Sequence, residues 1–273
     1  MSGLLKADLF CVLKSRLSKI ALILSVSFPV VMVLIYVGIR MIGGLAGDEA
    51  GDTLFNANAV IGSVYSLSNN IGLVIPAFAG IIVCSDYSNG TLRYKVIAGN
   101  RRSEIYLSHL IVSIIFSVVV ISIYAAVTAG LSIAMLPFSR DSMRELGKEV
   151  LYFVLNGTMT FAFIATVSTL FAMTFRSMAP TIIFTIVFAM VLYVVNSVIM
   201  LTDFEDYKYV VYFIPTFAGN VFNLGSFSLA GLINWSRDMS IDLVFAESML
   251  SYLFFGAVNT LIGLLAFRKR DVR

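Results

Sequence analysis

Residues 105–136 read IYLSHLIVSIIFSVVVISIYAAVTAGLSIAML, and this stretch decides the class of fold. It contains no Asp, Glu, Lys or Arg. An α-helix needs roughly 20 apolar residues to cross a hydrocarbon layer about 30 Å thick. Backbone N–H and C=O groups cannot stay unpaired in lipid, so such a segment crosses as a helix. We therefore predict a membrane-spanning helix that is long enough to tilt or to protrude into water.

The rest of the chain has the same character. Its mean hydropathy is +0.93, with 59% hydrophobic and 13% charged residues, whereas soluble domains carry about 25% charge. The composition predicts an all-α polytopic membrane protein with six transmembrane helices, forming a single domain over residues 1–273. The predicted spans are residues 20–39, 61–84, 105–136, 150–173, 179–201 and 243–267.

The basic residues predict the orientation of these spans, because cytoplasmic flanks carry an excess of Lys and Arg. With the N-terminus inside, 13 of the 19 basic residues fall on the inner side. Most of the acidic residues then fall on the outer side. We therefore expect a multi-pass protein of the cytoplasmic membrane with both termini in the cytoplasm.

Two further segments are predicted to lie beside the spans. In residues 1–19 the apolar residues gather on one side of a helical projection, with Asp8, Lys14, Ser15 and Ser18 opposite, which is typical of an interfacial helix. Residues 207–235, within an extracellular segment 203–242, are apolar, but Pro215 and three glycines interrupt them. Such breakers favour re-entrant helices before the last span over a seventh crossing.

Several kinds of chemistry lack the residues that they need. His109 is the single histidine, so zinc chemistry has no ligand set near it in sequence, and it is interpreted as a polar residue near the cytoplasmic end of its span. Cys11 and Cys84 fall on the reducing side and lack metal-type spacing. Glu104 and Glu247 lie near the ends of spans, so an ion site at the midplane has little support. We predict no catalytic residues and no metal site.

Uncharged polar residues do occur within the spans. In the second span Ser63, Ser66 and Asn70 recur at i, i+3 and i+7, and Asn156 lies four residues before Thr160 in the fourth. Small and polar residues of this kind serve helix packing. Alternatively, they line a transport pathway or a dimer interface.

The loop between the second and third spans, residues 85–103, reads SDYSNGTLRYKVIAGNRRS. Asn89-Gly90 supplies a turn, Leu92 and Val96 lie four apart on a possible short helix, and Gly99 ends it. We predict a short helix at the inner membrane face. The alternative is a solvated basic loop that only sets the topology.

This loop resembles the one that follows the second span of type-2 ATP-binding-cassette (ABC) transporter permeases, where an acidic residue precedes Gly-Thr and a small residue precedes a basic pair. The architecture is similar over the whole chain. The sequence has Asp86 where Glu is more frequent, Gly99 where Pro is often found, and His109 near the place of a basic residue. The residues that the resemblance assigns to coupling with an ATPase are Asp86, Gly90, Thr91, Leu92, Arg93, Val96, Gly99, Arg101 and Arg102.

The resemblance implies a permease whose loop 85–103 docks as a coupling helix on a separate ABC nucleotide-binding ATPase subunit. A second permease copy or homologue would complete the pathway within the membrane lipids, and no nucleic acid is implied. The chain lacks GxxxxGK[ST], so ATP and Mg²⁺ would bind in the partner subunit.

Similarity to small permeases of peptide-export and bacteriocin-immunity systems in bacteria implies export of an amphipathic or antimicrobial peptide. Export of a drug or a lipid-linked glycan remains open. An ATP-independent carrier or channel and a membrane enzyme or scaffold are the alternatives from other classes.

Overall fold

The computed structural model of the protein describes residues 2–45, 57–65, 70–137, 147–201, 213–215 and 241–269. In these residues the regular structure is helical, which confirms the all-α prediction. The helices are α1 (Ser2–Lys14), α2 (Arg16–Leu45), α3 (Ala57–Gly62), α4 (Asn70–Ser88), α5 (Thr91–Ile97), α6 (Arg102–Met135), α7 (Gly147–Phe175), α8 (Met178–Leu201) and α9 (Ile241–Lys269).

Five of the described helices are long and apolar enough to cross a membrane. They contain the segments Arg16–Ile42, Arg102–Met135, Val150–Phe175, Met178–Val198 and Asp242–Arg268. These correspond to five of the six predicted spans, which hydropathy located because each is a long run without charged residues in its middle. The remaining predicted span, residues 61–84, stays a prediction.

That second predicted span differs from the structure in its first part. Residues 61–84 were expected to form one helix, but α3 ends at Gly62 and residues 63–65 form a turn. Ser63 donates both its N–H and its hydroxyl to the Val60 carbonyl, at 3.3 and 2.9 Å. This side-chain bond competes with continuation of the helix. At the end of the turn, the Tyr65 ring packs against Gly157 of α7, where a Cβ would clash.

Helices α6 and α7 form the centre of the bundle. Helix α7 packs against α4, α6, α8 and α9, while α6 also contacts α1, α2 and α3. The largest buried side chains include Tyr106 and Tyr124 of α6 and Phe161 of α7. By contrast, α2, α8 and α9 leave many large apolar side chains exposed, as expected of surfaces that face lipid.

Much of the predicted extracellular segment lies outside the described residues, and so does Ser66. Residues 213–215 of that segment are described and contact α9. Ser251 of α9 donates a hydrogen bond of 2.8 Å to the Phe213 carbonyl, and the Phe213 ring lies 5.8 Å from the ring centroids of Phe254 and Phe255. Re-entrant helices stay a prediction.

One end of the bundle, which we call the basic end, is formed by α1, α5, the start of α6 and the end of α9. Arg102 at the start of α6 donates to the Arg268 carbonyl near the end of α9, at 3.3 Å. Lys95 of α5 reaches Asp8 of α1. These residues, all predicted to lie on the cytoplasmic side, therefore meet at one end of the bundle, and the orientation of that end stays a prediction.

Candidate functional site

The predicted short helix in loop 85–103 is present as α5. Gly90 precedes it with φ +68° and Gly99 follows it with φ +85°. Both values lie in the left-handed region that residues with a Cβ avoid. A proline at position 99 would require φ near −65°, so glycine is suited to this turn. The Thr91 hydroxyl donates to the Asp86 carbonyl at 3.1 Å and joins α5 to the end of α4.

Helix α5 has an inner and an outer face. Leu92 is 1% exposed and packs with Cys84, Ile105 and Tyr106. Tyr94 and Ile97, on the opposite side, are 72% and 79% exposed. The sequence led us to expect Leu92 to take part in coupling, and the inward direction of its side chain means that it would do so by holding α5 in place. Tyr94 and Ile97 are the exposed large apolar side chains of α5.

Lys95 lies at the centre of a cluster of polar side chains from four helices. Its Nζ lies 2.7 Å from Asp8 Oδ1, 2.6 Å from Asp86 Oδ2 and 3.2 Å from His109 Nε2. Ser108 donates to Asp8 Oδ2 at 2.6 Å. An ammonium group has three donors and no acceptor. All three donors therefore have a partner, provided that His109 Nε2 carries no proton.

Burial and charge act in opposite directions on this lysine. Only 16% of the Lys95 side chain and 4% of Asp8 are exposed. Burial lowers the pKa of Lys95, but the charges and hydrogen bonds of Asp86 and Asp8 outweigh it, so the pKa lies above its usual value. Lys95 is thus held as a cation in a nearly dry site, where an unpaired charge would be costly.

The same cluster includes three groups that could ligate a metal ion. One ligand atom from each of Asp8, Asp86 and His109 lies within 4.8 Å of the other two. Lys95 Nζ lies within 3.2 Å of an atom of each residue. The ammonium therefore occupies the place and supplies the positive charge that a metal ion would, and we assign this cluster as an ion pair network.

Further basic residues lie on α5 and near it. Arg93 and Arg101 are exposed. Arg176, in the short turn between α7 and α8, has its guanidinium 6.0 Å from the Tyr87 ring centroid, within reach of a cation–π interaction. It has φ +56°, which is unusual for a residue other than glycine.

The described polar residues predicted for a pathway or dimer interface lie in separate elements. Ser63 lies in the turn after α3, and Asn70 begins α4. Asn156 and Thr160 are both buried on α7. Thr160 contacts the Tyr252 hydroxyl of α9 at 2.7 Å. For Thr160 this is helix packing within the chain, and a role of these residues in a pathway stays a prediction.

A groove of about 370 Å³ runs between α6, α7 and α9. Its lining is largely apolar, with Thr166, Tyr252 and Thr260 among the residues that line it. Gly256 also lines this groove, and among the described residues no neighbouring atom lies within 4 Å of a Cβ added to it.

Sequence reasoning missed Asp8 as a member of the site. The helical projection placed it on the polar face of an interfacial helix, where a solvated side chain is the ordinary expectation. Its partners Lys95 and Ser108 lie 87 and 100 positions further along the chain. A lone acidic residue in a basic N-terminal segment is the one signal that the sequence offered.

The sequence model of a family described as ABC-2 family transporter protein matches residues 11–192, which is more than half of the chain. The chain belongs to this family. As a member of the ABC-2 family it is a membrane subunit of an ABC transporter, and such a subunit works with an ABC ATPase. The matched residues include α5 and all of the Lys95 cluster except Asp8. No match to a curated protein was found.

Proposed function

We propose that this ABC-2 subunit is the permease of an ATP-driven exporter, and that α5 is the helix through which a separate ATPase drives it. The observation that carries the proposal is the pair Tyr94 and Ile97. Two large apolar side chains project from a seven-residue helix at the basic end. Exposed aromatic and aliphatic residues grouped in this way are typical of contact sites for another protein.

The surroundings of the pair support the same assignment. Leu92 and the Lys95 cluster fix α5 on the bundle from its inner side. Arg93 and Arg101 add exposed positive charge beside the apolar pair, which would steer an acidic partner surface toward it. The position of α5 between two spans means that a displacement of α5 acts on both α4 and α6.

The sequence lacks the phosphate-binding motif GxxxxGK[ST], and we propose that the partner binds and hydrolyses ATP with Mg²⁺. A second copy of this chain, or a homologue, would enclose the pathway with it. The substrate that we propose is a hydrophobic or amphipathic molecule, with a peptide as the first choice. The apolar groove between α6, α7 and α9 supports this class, since its few hydroxyl groups among apolar side chains suit an amphipathic segment.

Copurification with the ATPase tests the docking role of α5. The double variant Tyr94→Ala with Ile97→Ala should insert into the membrane normally. We expect each truncation to weaken binding of the ATPase roughly tenfold or more, as for residues at the centre of an interface. The matched control is Phe10→Ala with Leu13→Ala, since these are also exposed apolar residues at the basic end. An unchanged affinity in the Tyr94 and Ile97 variant would contradict the proposal.

Transport by vesicles tests the energy source. Vesicles that contain the chain and its ATPase should accumulate a labelled amphipathic peptide when ATP is present. Vesicles that contain the chain alone should not. Uphill accumulation by the chain alone would instead favour an ATP-independent carrier.

A further inference from the structure

We propose that Lys95 is a positioning residue that ties the N-terminal helix α1 to α5, so that a partner which displaces α5 also moves α1 and the first span. The movement in this inference rests on the proposed function, in which an ATPase displaces α5. The tie itself rests on the geometry of the basic end. Lys95 projects from the middle of α5 and Asp8 from the middle of α1.

The contacts of α5 give the first step. Through Leu92 it packs on α4 and α6, and Leu4 of α1 lies at the edge of that same apolar cluster. The ion pair between Lys95 and Asp8, at 2.7 Å, is a direct polar contact between α5 and α1. A buried ion pair is lost if its members separate by a few ångströms, because each charge is then left without its partner away from water. The ion pair is thus the contact that makes the two helices move together.

The second step is the link from Asp8 to the bundle. Its other carboxylate oxygen accepts the hydrogen bond from Ser108 of α6. Because only 4% of the Asp8 side chain is exposed, water cannot readily take the place of Lys95 or Ser108 as its partner. Asp86 at the end of α4 completes the cluster by accepting from Lys95. A single ammonium group therefore joins α5 to α1, α4 and α6.

The third step carries movement from α1 to the first span. Helix α1 ends at Lys14 and α2 begins at Arg16, with a bend at Ser15. The Ser15 hydroxyl accepts from the Ser18 N–H at 3.1 Å, as a helix N-cap does. The Ser18 hydroxyl bonds back to the Val12 carbonyl of α1. These bonds make the corner stiff, so that a shift of α1 is passed to α2.

The first test uses the purified chain without any partner. Amide hydrogen exchange is measured along α1 in Lys95→Met, in Asp8→Asn and in the double variant. Each single variant should speed exchange in α1 at least tenfold, and the double variant should add little, because both remove the same contact. Lys6→Met is the matched control, since Lys6 is an exposed lysine on α1. Exchange in α1 that stays at the wild-type rate in both single variants would overturn the proposal.

The second test asks whether the tie transmits movement. Cys11 is exposed on α1 and Cys84 is buried, so a thiol-reactive spin label reports on α1 without any engineered cysteine. Cys11→Ser gives the background. In the complex with the copurified ABC ATPase, ATP with vanadate should change the label's spectrum in the wild type and in Lys6→Met. The change should be lost in Asp8→Asn and Lys95→Met, measured at an ATPase concentration that saturates each variant.

The two tests separate the two proposals. If no ATPase binds the wild-type chain, the proposed function fails while the exchange measurement still decides whether the tie exists. If the ATPase binds and the label in Asp8→Asn responds to nucleotide as in the wild type, the positioning role is wrong. Asp8→Asn keeps the volume of the side chain, so it serves where Lys95→Met fails to fold.

Discussion

The side chain of Tyr106 on α6 lies directly against Gly263 on α9, so that a Cβ added to Gly263 would lie 2.5 Å from Tyr106 Cζ and closer still to the hydroxyl. Tyr106 is fully buried. The contact joins the start of α6 to the end of α9, beside the residues that hold α5. This close contact is possible because residue 263 is a glycine and has no side chain.

Gly263→Ala should therefore destabilise the protein. Overpacking of this kind costs typically about 1–3 kcal/mol. Gly256→Ala is the matched control on the same helix, because no neighbouring atom of the described part of the chain lies within 4 Å of its added Cβ. Thermal unfolding of the two purified variants should show a lower Tm for Gly263→Ala and no loss for Gly256→Ala. Equal Tm values would mean that Tyr106 moves aside without cost.

Leu92→Ala should reduce stability, whereas Ile97→Ala should not. Leu92 is buried among Cys84, Ile105 and Tyr106, and removal of a buried Leu side chain costs about 2–5 kcal/mol. Ile97 is exposed at the other side of the same helix, and surface substitutions usually change stability by less than about 0.5 kcal/mol. The opposite order in thermal unfolding would show that α5 is turned the other way.

Leu92 and Ile97 show which features of α5 could be predicted from the sequence and which could not. The turn at Asn89-Gly90 and the end at Gly99 follow from backbone preferences, so α5 was predictable from local chemistry. Which side of α5 faces inward was not, since the helix is short and both sides carry apolar residues. That choice depends on the apolar surface that α4 and α6 provide, and this surface forms only when the spans pack.

Asp8 shows the same limit for charge. A helical projection shows only the neighbours that a residue has on its own helix. On α1 those neighbours suggested that the Asp8 carboxylate is solvated. Lys95 and Ser108 reach Asp8 from distant parts of the chain. The long spans, by contrast, were predictable because each satisfies its backbone hydrogen bonds within one continuous segment.

The Lys95 cluster makes a prediction about pH. The pKa of Lys95 is raised in the folded protein, so its stabilisation is complete below the pKa of lysine in the unfolded chain, about 10.4, and is lost as the pH rises through the folded-state value. The difference in Tm between the wild type and Lys95→Met should thus stay constant from about pH 7 to 9 and shrink only above about pH 10.4. Lys6→Met, which removes an exposed lysine of α1, is the matched control. A difference that already fades near neutral pH would contradict the raised pKa.

Arg176 gives a prediction about backbone strain. It occupies the left-handed region at φ +56°, at the end of α7, where its N–H donates to the Ala172 carbonyl at 3.0 Å. Glycine is the usual residue in this position after a helix. Arg176→Gly and Arg176→Ala both remove the guanidinium from the Tyr87 ring. The two variants therefore differ in the cost of the left-handed backbone conformation at residue 176. The glycine variant should be more stable than the alanine variant by about 1 kcal/mol, measured by chemical or thermal unfolding.

The comparison with the wild type then isolates the side chain of Arg176. If Arg176→Gly is less stable than the wild type in spite of its relaxed backbone, the contact with Tyr87 outweighs the strain. A cation–π contact at a partly exposed site is worth about 0.5–1 kcal/mol, close to the strain, so the two should nearly cancel. A glycine variant that is much more stable than the wild type would mean that the guanidinium contributes little to folding.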